Sequence, residues 1–131
     1  MRSETKQWLE IAEDDYQLGF YGVERGFYPQ ALYMLCQAIE KVLKGAQIEF
    51  QHQVPKKIHH LDLLARSSGL PFAQEHYGFL KKLSKLYYLV RYPDLSRTRY
   101  NTKAKTKEII SQTQALYLWI QQQFKHHSKH S

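Results

Sequence analysis

The sequence predicts an all-α protein, an up-and-down four-helix bundle with one additional short helix. Apolar residues recur every three or four positions through four long segments, and no segment alternates as a strand would. Glycine, proline and polar clusters stand where those segments stop. The 131 residues fit a single domain, residues 1–131, long enough to bury a core without disulfides. Four amphipathic helices on short connections bury their apolar faces most simply as antiparallel neighbours.

In the first segment Trp8, Ile11, Ala12, Asp15, Leu18 and Gly19 fall at helical spacing, with Leu9, Tyr16, Phe20 and Val23 as a second stripe beside them. Together they predict a broad buried face. Asp15 interrupts it, so its carboxylate is either partnered in the bundle or at its edge. Gly22, Gly26 and Pro29 mark a break, and a proline in a first helical turn sacrifices no hydrogen bond. From Pro29 to about Phe50 a second helix buries Ala31, Leu35, Ala38, Val42 and Ala46, with Leu32, Ile39 and Leu43 alongside. The stretch from Gln51 to His60 is polar, contains Pro55 and reads as a loop.

Leu61 to Arg66 forms the short helix, stopped by Ser67, Ser68 and Gly69. Pro71 opens the next, in which Phe72, Phe79, Leu83, Leu86 and Val90 share one face. Pro93 closes it, because the residue before a proline resists the helical region. A loop rich in Arg, Thr and Asn leads to Thr102, which caps a final helix carrying Ile109, Thr113, Leu116 and Ile120, with Ile110, Tyr117 and Phe124 beside them. A polar tail begins at about residue 125. The stripes of the first two helices exceed what one small bundle covers, which predicts a homodimer.

Nineteen Lys and Arg against twelve Asp and Glu give a net charge of +7. Its placement is uneven. Arg91, Arg97, Arg99, Lys103, Lys105 and Lys107 face only Asp94 in their stretch, whereas the first 24 residues are acidic. Clustered cations create a local potential, which favours an anionic partner such as a nucleotide or RNA. Cys36, the single cysteine, sits among apolar residues and excludes an internal disulfide framework. The charged amino-terminal run MRSETKQWLEIAEDD lacks a signal peptide's apolar core, and no stretch nears the roughly 18 apolar residues of a membrane span. These features predict a cytoplasmic protein with no membrane contact.

WLEIAEDDYQLG, ALYMLCQAIEKVLKG, HHLDLL and LYYLVRYPD, separated by a tyrosine-rich break and a polar loop, resemble in their order the HEPN domain family, from Trp8 to about Phe124. That resemblance implies a bundle of four or five helices, often a homodimer, commonly encoded beside a minimal nucleotidyltransferase in modules of the toxin–antitoxin type. It also implies nucleotide binding in some members and metal-independent ribonuclease activity in others. The ribonucleases carry an arginine followed, after four to six intervening residues, by a histidine. Arg91 matches the arginine, but Ser96, Arg97 and Thr98 stand around the histidine's position. Serine and threonine have no proton-accepting group near neutrality. The sequence therefore reads as a noncatalytic nucleotide- or RNA-binding module. A ribonuclease with another acceptor, Tyr92, Tyr100 or His59, and a plain dimerisation scaffold are the alternatives.

Candidate binding residues follow from these patterns. Arg91 has Tyr87 and Tyr88 one turn before it and Tyr92 after it, rings that can stack a base while the guanidinium meets a phosphate. Against this, Arg91 could pair with Asp94, Asp15 or Glu40. Gln37, Glu40 and Lys44 share one side of the second helix, and the resemblance makes Glu40 and Lys44 part of a polar site facing Arg91. The same two residues also read as the i,i+4 ion pair of any exposed helix. Arg97, Arg99 and Lys103 complete the phosphate-binding set. No metal or cofactor is expected: His59 and His60 are adjacent, and His126 and His130 lie in the tail.

Overall fold

The computed structural model describes residues 1–130, with side chains described through residue 126. Six helices follow in order: α1 Ser3–Arg25, α2 Tyr28–Gln51, α3 Leu61–Ser67, α4 Gln74–Leu89, α5 Pro93–Arg99 and α6 Lys103–His130. The four long ones form the expected bundle. Among the described residues no helix is long and apolar enough to cross a membrane.

Helix α2 is the hub. Every position expected to be apolar and buried in it is buried, and it packs against α1, α3, α4 and α6. Its antiparallel pairing with α1 is close, because a Cβ on Gly19 would lie 2.9 Å from the Leu35 side chain. Gly26 makes the reversal possible: at φ 83° it closes α1 in the left-handed conformation, and the next amide, Phe27 N–H, bonds Gly22 O at 2.8 Å. Helix α6 runs antiparallel to α1, with Tyr117 stacked on Tyr16 at 4.2 Å and Gln121 donating to Glu13 at 3.1 Å. Its carboxyl end meets that of α2 through Phe124 and Phe50, 5.1 Å apart.

Several expectations are corrected. Pro93 does not lead into a loop but opens α5, because a proline at the first helical position lacks only an amide that would be unbonded anyway. The carbonyl of Tyr92 takes the amides of Leu95 and Ser96 at 3.1 and 2.9 Å. Pro71 and Phe72 precede α4, whose first turn is fixed by the His76 ring accepting Ala73 N–H at 2.9 Å. In α4 the buried line is Leu80, Leu83, Leu86 and Tyr87, with Phe79 beside it. The broad face of α1 is only partly covered. Ala12 and Gly19 are buried, yet Ile11, Leu18 and Phe20 remain 46%, 58% and 42% exposed, because α2 and the contacts from α6 cover only part of the helix's circumference. Thr102 caps α6 as expected, accepting Lys105 N–H at 3.2 Å. The residues of the predicted tail continue α6 through His130, and the side chains of the HHSKH stretch beyond His126 lie outside those described.

Candidate functional site

Glu40 occupies the middle of α2 and is only 6% exposed. Its Oε1 accepts the Tyr87 hydroxyl at 3.0 Å and lies 2.9 Å from His59 Nδ1, while Oε2 takes Lys44 Nζ at 3.1 Å. Burial pushes the carboxyl up, but the bonds from His59, Lys44 and Tyr87 and the charge of Lys44 outweigh it and hold it below the usual glutamate range. The same burial and the Glu40 charge push the Tyr87 phenol and the Cys36 thiol far up, so neither ionises near neutrality. The exposed-helix reading of Glu40 and Lys44 is thereby corrected. Lys44 is 7% exposed with its ammonium 5.7 Å from the Trp8 ring centre, and α1 and α4 flank the pair.

Outside this cluster the segment before α3 and the outer face of α4 enclose a groove of about 710 Å³. His59, His60 and Asp62 stand on one side, and Lys81, Ser84, Lys85, Tyr88 and Arg91 on the other, with Tyr87 between. Ser84 joins the two walls: its Oγ accepts Leu61 N–H at 2.7 Å and donates to Asp62 Oδ1 at 3.3 Å. Ser84 on α4 thereby ties the start of α3 to the other wall of the groove. Its charge is mostly positive, with Asp62 the one carboxylate among its lining residues.

Arg91 closes one end of the groove. Its side chain is exposed, 5.5 Å from the Tyr88 ring centre, and Tyr92 donates its hydroxyl to Tyr88 at 3.0 Å. Among the described residues no carboxylate pairs with Arg91: Asp15 is bonded to Lys41, and Glu40 to the three groups above. Arg91 also borders a second, largely apolar groove of about 770 Å³, where Leu18, Tyr21, Phe27 and Met34 line the junction of α1 and α2.

The structure thus brings Arg91, Tyr87 and Tyr88 into one groove, with Tyr92 bonded to its wall and Glu40 beneath it. Lys44 lies on the far side of Glu40 and does not line it. Arg97 and Arg99 on α5 and Lys103 at the start of α6 are exposed and form a separate basic edge. The hydrogen bond to Tyr88 raises the Tyr92 phenol, which argues against Tyr92 as a proton acceptor. Sequence reasoning missed His60, Lys81 and Lys85. Their signal was present in part, since Lys81, Lys85 and Tyr88 at i, i+4 and i+7 form a line along α4.

A family model described as HEPN domain matches residues 5–123. The crystal structure of TT1696 from Thermus thermophilus superposes with a TM-score of 0.76 at 22% identity, covering 92% of this chain and 98% of that one, a likeness of fold. No curated protein matches the chain. The family model takes in most of each of the four long helices together with Glu40 and Arg91, and the chain belongs to the HEPN domain family.

Proposed function

We propose that this protein binds the phosphates of a nucleotide or a single-stranded RNA in the groove between His59 and Arg91. The carrying observation is Arg91 itself, an exposed guanidinium without a carboxylate partner among the described residues, beside Tyr88 and facing a groove lined by Lys81 and Lys85. A fixed cation next to an aromatic face suits a phosphate joined to a base. Arg97, Arg99 and Lys103 extend the positive surface for a longer strand. The partner implied by the family is a minimal nucleotidyltransferase, in a cytoplasmic module of the toxin–antitoxin type, and the exposed apolar row of α1 is proposed as the contact of a homodimer.

A fluorescent 2′-O-methyl RNA tests the groove without being open to cleavage. Arg91→Ala is expected to weaken its binding by about 10- to 100-fold, the worth of one or two charge-assisted hydrogen bonds. The salt dependence should fall by about 0.7 in slope for the lost phosphate contact. Affinity and slope unchanged in Arg91→Ala would move the site elsewhere.

A further inference from the structure

Phosphate binding does not account for Asp62, the one carboxylate lining the groove. An anion beside Lys81, Lys85 and Arg91 opposes a phosphate, so a wall built for phosphates alone would omit it. Nor does it neutralise those cations. Among the described residues no lysine or arginine pairs with Asp62, and its partner is the Ser84 hydroxyl, which donates to Oδ1 at 3.3 Å. Ser84 Oγ accepts Leu61 N–H at 2.7 Å, so the hydroxyl that holds the carboxylate is itself fixed by backbone. Oδ2 has no hydrogen-bond partner among the described residues, and Asp62 is half-buried at the groove wall.

The order of groups along the groove sets what Asp62 meets. Ser84, Tyr88 and Arg91 fall at i, i+4 and i+7 along α4 and the turn that ends it. At about 1.5 Å per residue, carboxylate, ring and guanidinium follow one another within about 10 Å. Tyr88, 55% exposed, is the middle of the three. A base stacked on its ring, with the phosphate at Arg91, turns its far edge toward Asp62. An ionised carboxylate only accepts hydrogen bonds, so it selects an edge made of donors. Guanine carries N1–H and N2–H side by side on its Watson–Crick edge, where both can meet one carboxylate. Adenine and cytosine set an amino group beside an acceptor nitrogen, and uracil sets one N–H between two carbonyls that a carboxylate repels.

Resting on the phosphate-binding reading of the groove, we propose that Asp62 is its specificity-determining residue and reads guanine, so that the groove takes a guanine nucleotide, free or within a single strand. Ser84 is the positioning residue. The cations supply affinity common to every nucleotide, and Asp62 supplies the difference between them. The wrong base leaves the carboxylate facing an acceptor, which costs more than the absence of one bond.

The test is calorimetric titration of the full chain with 5′-GMP, 5′-IMP, 5′-AMP and 5′-UMP, repeated with 2′-O-methyl oligouridylates carrying one central G, I, A or U. The guanine ligand should bind about 10- to 100-fold tighter than the adenine or uracil one, the worth of one or two charge-assisted hydrogen bonds. The hypoxanthine ligand, which keeps N1–H but lacks the 2-amino group, should fall between them. Asp62→Asn retains an oxygen for the Ser84 hydroxyl and should weaken guanine binding while adenine binding holds or gains, a split that a merely structural role would not produce. Arg91→Ala should weaken all the ligands by a similar factor and leave their ratios intact. Equal affinities that all fall in Arg91→Ala overturn the guanine reading and leave phosphate binding standing. A guanine preference that survives Asp62→Asn, or a uniform loss in that variant, overturns the assignment to Asp62. Failure of both series to bind the unaltered protein overturns the phosphate reading as well.

Discussion

Glu40 gathers donors from three segments: Lys44 on its own helix, His59 before α3 and Tyr87 on α4. Because its folded pKa is depressed, its contribution to stability is present above the unfolded value and is lost as pH falls through the folded one. Glu40→Gln should therefore be destabilised at neutral pH by about 3 kcal/mol, since it leaves the Lys44 ammonium buried without its counter-charge. In denaturant titrations that gap should narrow as pH falls below the ordinary glutamate range and through the depressed folded pKa, where the wild-type carboxyl also protonates. A gap of constant size across that range would show that lost packing, and not charge, sets the cost. What the sequence offered at this scale was a choice between an exposed pair and a polar site. It could not decide, because burial of an i,i+4 pair depends on what other segments lay over it.

Between helices, contact distance outweighs intrinsic propensity. Gly19 lies where α1 crosses α2, and a Cβ there would stand 2.9 Å from Leu35 Cγ and 3.2 Å from the Ala31 carbonyl. Gly19→Val should thus lower stability by about 1–3 kcal/mol through overpacking. In α4, a Cβ on Gly78 meets nothing within 4 Å, so Gly78→Ala should raise stability by about 0.5–1 kcal/mol through helix propensity alone. Thermal melts of the two variants check the contrast, and shifts of the same sign would count against it. The sequence placed Gly19 on a buried stripe correctly but carried no measure of how near the second helix comes. It likewise took Pro93 as a stop, when the same fixed φ serves as a start once Tyr92 O can accept the following amides.

For the whole molecule, the exposed line of Ile11, Leu18 and Tyr21 on α1, continued by Phe27 before α2, leaves an apolar surface that one chain does not cover. Light scattering at micromolar concentration should give a dimer, and Leu18→Glu should shift it to monomer without loss of helicity. A monomeric wild type would leave that surface without the proposed contact. The sequence by itself determined the four long helices, the apolar positions of α2, the Thr102 cap and the grouping of Arg91 with its tyrosines. Each of these follows from periodicity, capping or spacing within a few turns, which are properties of neighbouring residues. Only the tertiary structure decided that Glu40 is buried, that His59 bonds it, and that Lys81, Lys85 and Arg91 face His59 across one groove. Those relations join residues far apart in the chain, and they are fixed by how α2, α3 and α4 exclude water from one another, not by any local pattern.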